Sequence, residues 1–191
     1  SLRLVLMCII LFINMNIALG NSPNLVKDIQ IGGGDTHIRH RTIQTDDGTI
    51  YFFVVGGNGG GNDGLYRTNG TGAGTVRVKQ LIGEDVKNIA VLGNKLFFSY
   101  ANRYGSTGTE LWVSDGTTEG THIIEDLNPG SGNGLTIVTA DKSHSSLIAF
   151  NGYVYFGGID GSGPANLYRT DGTDIELIKE TIINGSYNYA P

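Results

Sequence analysis

The feature that most constrains how this chain can fold is an internal repeat. A seven-residue pattern begins at Leu65, Leu111 and Leu167: leucine, an aromatic residue, two variable residues, Asn or Asp, glycine and threonine. The first two copies begin 46 residues apart and the last two 56 residues apart, and an aromatic-rich segment precedes each copy. Units of this length cannot bury their apolar faces alone, so the repeat predicts neighbouring units that pack against each other.

Each unit predicts four short strands. In the first unit these are Thr49–Val55, Gly64–Thr68, Thr75–Leu81 and Val86–Leu92, which are rich in β-branched and aromatic residues and are separated by turn residues. A four-stranded unit with a period of about 40–50 residues is typical of a β-propeller blade. We therefore predict an all-β fold, a β-propeller-like array of four-stranded antiparallel blades with almost no helix.

The array contains about three to four blades. Closed propellers usually have about four to eight, so further blades of the same polypeptide are one expected partner. Alternatively, N-terminal strands at Leu25–Ile31 and His37–Thr45 complete a blade with C-terminal ones. The repeat domain, residues 21–191, is divided roughly into units 46–92, 93–140 and 141–191, with a partial unit at 21–45.

Glycine supplies 30 of the 191 residues and is concentrated in turns. Glycine accepts a positive φ, and an Asn or Asp side chain can bond the backbone that follows it. Three turns are therefore predicted as scaffold: Asn69-Gly70-Thr71, Asp115-Gly116-Thr117 and Asp171-Gly172-Thr173. The leucine and aromatic residues before these turns are predicted to pack between blades: Leu65, Tyr66, Leu111, Trp112, Leu167 and Tyr168.

The first twenty residues differ from the rest of the chain. Arg3 precedes an apolar run from Leu4 to Ile13, and the small residues Ala18 and Gly20 follow. This order is typical of a secretory signal peptide, and the run is shorter than the ~20 residues that span a bilayer. A membrane anchor and a buried strand are the alternatives. We assign residues 1–20 to the signal peptide and expect a secreted or cell-surface protein with no membrane span in the mature chain.

The segment from Gly108 to Gly130 reads GTELWVSDGTTEGTHIIEDLNPG. It resembles the bacterial ELW-x-x-DGT repeat proteins, whose units carry G-T-E-L-W-x-x-D-G-T-x-x-G-T and then D-[IL]-N-P-G. The outer units depart from this pattern, since Tyr66 and Tyr168 replace the tryptophan and the glutamate is absent. The resemblance covers about residues 24–183. It implies an extracellular or periplasmic β-propeller-like array, often part of a larger protein, with no catalytic residue set.

Charge and motifs exclude several classes of function. The formal net charge is −5 and no basic face is visible, which argues against a nucleic-acid partner. Asp-Gly pairs could attract calcium, but the alternating carboxylates of a calcium loop are missing. Turn chemistry is the preferred interpretation, with no cofactor expected and calcium as the alternative. His37 and His40 would point to opposite faces of a strand, which makes them a poor zinc chelate.

Glycoside hydrolysis needs two suitably spaced carboxylates. Glu110, Glu119, Glu125 and Asp126 cluster in the sequence but belong to the repeat pattern. The preferred hypothesis is therefore an exported non-enzymatic module that binds an extracellular protein or glycan or serves as a surface scaffold. The alternative is a carbohydrate-active hydrolase or sialidase-like propeller with catalytic residues on loops or in missing blades.

One insertion breaks the regularity of the repeat. The third unit is longer than the second, and the additional residues fall near Asp141, Lys142 and His144. Because insertions in repeat proteins map to loops, these residues are the predicted ligand loop, with a tolerated surface insertion as the alternative. A binding rim would also display exposed aromatic residues, for which the candidates are Tyr100, Tyr104, Tyr187 and Tyr189.

Overall fold

The computed structural model describes residues 25–29, 36–56, 61–82, 86–101, 105–135 and 147–180. These residues form twelve β-strands in three antiparallel four-stranded sheets, and they contain no helix. The all-β prediction is confirmed at this level. The strands are β1 Thr36–Gln44, β2 Ile50–Gly56, β3 Gly64–Thr68, β4 Val76–Lys79, β5 Val86–Leu92, β6 Lys95–Ala101, β7 Thr109–Ser114, β8 His122–Ile123, β9 Leu147–Phe150, β10 Tyr153–Gly158, β11 Asn166–Thr170 and β12 Ile175–Lys179.

Each sheet is a simple meander, in which every strand pairs with its neighbour in sequence. The first sheet contains β1 to β4, the second β5 to β8 and the third β9 to β12. The order requires only short connections between consecutive strands, which is the usual way of joining antiparallel neighbours.

The strands are grouped into sheets differently from the units predicted from the sequence. The segment Val86–Leu92 forms a strand, but the prediction that it completes the first unit is wrong, because it pairs with β6 in the second sheet. A two-residue turn at Gly93-Asn94 joins β5 to β6, and such a short connection favours a hairpin. The first sheet instead begins with β1. Leu25–Ile29, expected as part of a strand, is not in one.

Two hydrophobic cores lie between the sheets because strand side chains alternate between opposite faces. In the second sheet, Phe98 faces the first core together with Tyr51 and Leu65 of the first sheet. Its neighbour Phe97 faces the second core together with Val154 of the third sheet. Both phenylalanines are 0% exposed. The middle sheet is therefore covered on both faces.

The two outer faces of the array differ. On the first sheet, Phe52, Val54 and Tyr66 form a small cluster against which Ile29 packs. On the third sheet, the side that faces away from the second core has exposed apolar side chains, and we call it the open face. Its members with large exposed fractions are Ile148 at 63%, Phe150 at 68%, Leu167 at 40% and Ile178 at 40%.

Candidate functional site

The turn that follows β7 is held together by its own repeated residues. Asp115 Oδ1 accepts hydrogen bonds from the Thr117 N–H at 2.8 Å and from the Thr117 hydroxyl at 2.7 Å. That hydroxyl accepts one from the Gly120 N–H at 2.9 Å, and the Thr121 hydroxyl donates to the Thr117 carbonyl at 2.6 Å. The pattern D-G-T-x-x-G-T therefore folds as a self-supporting turn.

The turn after β3 repeats all four bonds with Asn69 in place of Asp115. Asn69 Oδ1 accepts from the Thr71 N–H at 3.1 Å and from its hydroxyl at 2.8 Å. The Gly74 N–H donates to the Thr71 hydroxyl at 2.9 Å, and the Thr75 hydroxyl donates to the Thr71 carbonyl at 2.7 Å. Asparagine replaces aspartate here because the turn uses the side-chain oxygen only as an acceptor.

The turn after β11 keeps the first part of this arrangement. Asp171 Oδ1 accepts the Thr173 N–H at 2.9 Å, and β12 begins before a Gly-Thr pair could follow. Hydrogen bonds from Thr117 and Thr173 hold the pKa values of Asp115 and Asp171 below the ordinary value of an aspartate. The two carboxylates act as structural acceptors in their turns.

The second glycine of each longer turn leaves room for the Asx side chain of that turn. A Cβ on Gly120 would lie 2.0 Å from Asp115 Oδ1, and a Cβ on Gly74 would lie 1.9 Å from Asn69 Oδ1. Real Cβ atoms do not approach other atoms so closely, because the overlap is strongly repulsive. The second glycine of the repeat is therefore set by the Asx side chain that it faces.

The turn of the second sheet packs onto the first sheet. A Cβ on Gly116 would lie 2.5 Å from the Tyr51 hydroxyl oxygen and 3.4 Å from Arg67 Cδ. Tyr51 and Arg67 are register partners on β2 and β3. The Thr118 hydroxyl also donates to the Val78 carbonyl of β4 at 2.9 Å. We call the register pair on which the next turn rests a seat.

The turn of the third sheet packs in the same way onto the second. A Cβ on Gly172 would lie 3.1 Å from Phe97 Cζ and 3.3 Å from Val113 Cγ2. Phe97 and Val113 are register partners on β6 and β7, at the positions that Tyr51 and Arg67 occupy in the first sheet. Lys95 Nζ donates to the Asp171 carbonyl at 3.1 Å across this interface. Each seat is thus a repeated feature.

The residues predicted to pack between blades have three different environments. Leu65 and Leu111 are 0% exposed in the first and second cores, and Tyr168 lies in the second core. Trp112 packs against the first core with its ring stacked on Phe98. Tyr66 stacks on Phe52 on the outer side of the first sheet, 5.5 Å between ring centroids. Leu167 is 40% exposed on the open face and does not pack between two sheets.

Glu110 is a fully buried carboxyl group at the point where the second sheet meets the third. Its two oxygens accept the Gly134 N–H at 2.7 Å and the Leu127 N–H at 3.2 Å. Burial raises the pKa of Glu110 to about 7, against the opposing effect of these two bonds. Gly134 in turn accepts the Ile159 N–H at 2.8 Å, so Glu110 clamps a loop that bridges the two sheets.

Sequence reasoning assigned Glu110 to the repeat pattern and missed this environment. The available signal was its occurrence in the middle unit alone, opposite Gly64 and Asn166. Asp126 lies near enough to raise the pKa of Glu110 further, and its Oδ2 accepts the Gly130 N–H at 3.4 Å. The two carboxyls are neighbours, but Glu110 has no contact with solvent and both its oxygens already bind backbone N–H groups.

Two further Asp-Gly pairs, Asp47-Gly48 and Asp160-Gly161, also use the aspartate as an acceptor within a turn. Asp47 Oδ1 accepts the Thr45 hydroxyl and the Thr49 N–H, and Asp160 Oδ1 accepts the N–H and hydroxyl of Ser162. In the described part of the chain, no three His, Cys, Asp or Glu side chains are grouped so that they could hold a metal ion.

The predicted ligand loop lies outside the described residues, since Asp141, Lys142 and His144 are not among them. The same holds for Tyr104, Tyr187 and Tyr189. Tyr100 was predicted as an exposed rim aromatic, and this is wrong: it is 3% exposed in the first core, packed edge-to-face on Trp112. Its hydroxyl donates to the Ile82 carbonyl at 3.0 Å, which satisfies the polar end of a buried tyrosine.

Comparison with family models, curated proteins and solved structures returned no match for this chain. None of the described residues belongs to a helix long and apolar enough to cross a membrane.

Proposed function

We propose that this chain is an exported, non-enzymatic repeat module that acts as a scaffold outside the cell, built on the plan of a β-propeller. The observation that carries the proposal is the seating of Gly116 on Tyr51 and Arg67, repeated by Gly172 on Phe97 and Val113. The most repeated residues of the chain are used to join one sheet to the next.

The role of the turn carboxylates as hydrogen-bond acceptors supports a scaffold function. Asp115 and Asp171 are acceptors for the backbone of their own turns, and Asn69 performs the same task without a charge. A carboxylate that acts as a general acid or base could not be exchanged for an amide in this way, because an amide does not gain or lose a proton near neutral pH. The equivalence of Asn69 and Asp115 fits a structural role.

Three four-stranded meanders in a row support the propeller plan, since propeller blades are four-stranded sheets that pack face to face around an axis. The resemblance of Gly108–Gly130 to the ELW-x-x-DGT repeat proteins supports the same plan and an extracellular or periplasmic location. The apolar run of residues 1–20 supports export by a cleaved signal peptide. The expected partners are an extracellular protein or glycan and further units of the same kind.

Export is tested by producing the whole chain in a bacterial host and sequencing the N-terminus of the recovered protein. The proposal expects protein outside the cytoplasm that begins at or near Asn21. An uncleaved chain retained in the cytoplasm would contradict it.

The scaffold role is tested by following Trp112, the single tryptophan, which packs against the core between the first two sheets. If the sheets form one cooperative body, tryptophan fluorescence and far-ultraviolet circular dichroism should report the same urea transition. If the fluorescence changes at lower urea than the dichroism, the first two sheets separate before they unfold, and seating does not hold the array together.

A further inference from the structure

We propose that the open face of the third sheet is a docking surface for a second copy of this chain, which binds through the turn Asn69-Gly70-Thr71 of its first sheet. The proposal rests on the proposed scaffold function, because it extends the internal seating rule to a contact between molecules. The partner of the third sheet is then the turn of the first sheet, on a second copy of the same protein.

The open face contains a seat of the same composition as the occupied one on the first sheet, and no turn of the described residues rests on it. Tyr155 and Arg169 are register partners on β10 and β11, as Tyr51 and Arg67 are on β2 and β3. The occupied pair holds the turn at Gly116, whereas Arg169 contacts its own sheet, with its guanidinium 4.2 Å from the Tyr153 ring centroid and 2.8 Å from Glu176 Oε2.

The apolar residues around the two seats also correspond, yet their exposure differs. Leu65 is 0% exposed and Val78 is 4% exposed beside the occupied seat. Leu167 and Ile178, at the corresponding positions of β11 and β12, are each 40% exposed. Ile148, the register partner of Tyr155, is 63% exposed. Large exposed apolar side chains gathered on one face of a sheet are typical of an interaction surface.

The complementary element lies at the opposite end of the array. The Asn69 turn has the same internal bonds as the Asp115 turn, and the φ angles of Gly70 and Gly116 are +85° and +87°. A Cβ on Gly70 would meet no heavy atom within 4 Å, so Gly70 is not seated on any sheet of the described residues. A turn whose glycine is unseated and a seat that no described turn covers form a heterologous pair that joins copies head to tail.

The N-terminal segment Leu25–Ile29 partly occupies the place that the second copy would take. The Val26 carbonyl lies 2.9 Å from where a Cβ on Gly72 would stand, and Lys27 Nζ donates to the Thr75 carbonyl at 2.7 Å. Gly72 is the equivalent of Thr118, since each lies three residues after the Asn or Asp of its turn. Thr118 contacts the Val78 carbonyl of β4. Residues 25–29 thus contact the turn of the first sheet in the way that β4 contacts the turn of the second sheet. They should therefore compete with β12 of a second copy for that turn.

The test is sedimentation velocity of the mature chain over a wide range of protein concentration, with and without residues 21–29. We expect a reversible increase in mass with concentration, shifted to lower concentration in the shortened chain. Leu167→Lys and Ile148→Lys, each on the open face, should weaken association about tenfold or more. Leu177→Lys is the matched control: Leu177 is 47% exposed, but its register partner is Tyr168, on the other side of the sheet.

Association that is lost in both open-face variants and kept in the control supports the proposal. A monomer at every concentration for both chain lengths overturns it, and so does association that all three variants weaken equally or leave unchanged. If the mature chain is monomeric while its urea transitions by tryptophan fluorescence and by circular dichroism coincide, this inference fails and the scaffold function stands.

Discussion

The seat on the first sheet and the seat on the third sheet have the same two residue types in the same register, but different surroundings. Tyr51 is 1% exposed beneath the turn of the second sheet, whereas Tyr155 is only half-buried, on a face that no other sheet of the described residues covers. The residues of a seat therefore provide the shape, and the following sheet decides whether the seat is buried. In a repeat array, the stabilising contribution of a residue depends on its neighbours as much as on its type.

The largest expected effect compares two equivalent leucines. Leu65→Ala should lower the free energy of unfolding by about 2–5 kcal/mol, because it leaves a cavity in the first core. Leu167→Ala should cost about 1 kcal/mol, because the side chain is already 40% exposed. Urea unfolding of the two variants measures both values. Equal losses would show that the third sheet is covered in solution as the first is.

The next effect concerns Glu110, whose position in the repeat is occupied by Gly64 in the first sheet and by Asn166 in the third. The folded pKa of about 7 lies above the ordinary value of 4.5, so the folded protein holds the proton more tightly than the unfolded chain does. Stability from this group is fully present below pH 4.5 and is lost as the pH rises through about 7. The rise corresponds to about 3 kcal/mol, at about 1.36 kcal/mol per pKa unit.

Urea unfolding at a series of pH values between about 5 and 8 measures this loss, and Glu110→Gln should flatten it. The lowered pKa values of Asp115 and Asp171 act in the opposite direction and below this range, since their contribution is lost as the pH falls. A Glu110→Gln protein that keeps the full pH dependence would show that another group is responsible.

A smaller effect on stability distinguishes the turns whose glycine rests on a seat, at Gly116 and Gly172, from the turn at Gly70, whose glycine does not. Gly70, Gly116 and Gly172 all have positive φ, so substitution by alanine costs each about 1 kcal/mol in backbone strain. Gly116→Ala adds an overlap with Tyr51 and should cost about 1–3 kcal/mol more than Gly70→Ala. Gly172→Ala should lie between them. Thermal unfolding of the three variants ranks them, and an identical cost at all three positions would contradict seating.

The smallest effect concerns the Asx acceptor within a turn. Asp115→Ala removes two hydrogen bonds, one of them to a backbone N–H, and should cost about 1 kcal/mol. Asp115→Asn should cost less than Asp115→Ala, because Asn69 makes the same hydrogen bonds in the first sheet. Thermal melts of the two variants provide the comparison. A large loss for Asn would mean that the charge of Asp115 is used in some other way.

Local features of the fold could be predicted from the sequence because local chemistry determines them. The turns at Asn69, Asp115 and Asp171 form where the Asx-Gly-Thr pattern places an acceptor two residues before a donor. Strands follow the β-branched and aromatic runs, and the absence of a helical period indicated an all-β chain. These inferences depend on contacts within a few residues of one another.

The grouping of strands and the exposure of particular residues depend on distant contacts. Val86–Leu92 reads as a strand equally well in either sheet, and the short turn to β6 decides the matter. Tyr100 resembles a rim aromatic until the cores are assembled around it. Leu167 matches Leu65 in the repeat, but it is partly exposed because no further sheet of the described residues packs over it. The environment of Glu110 arises from a loop that returns 24 residues later, at Gly134.

The most direct test of the account is a measurement of nuclear Overhauser effects between the seats and the turns of the mature chain. We expect cross-peaks from the Gly116 α protons to the Tyr51 ring and from the Gly172 α protons to the Phe97 ring. We expect no such contact from Gly70 to an aromatic ring within a monomer. If the Gly116 and Gly172 cross-peaks are absent while the strands are intact, the turns do not rest on the preceding sheets and the scaffold account is wrong.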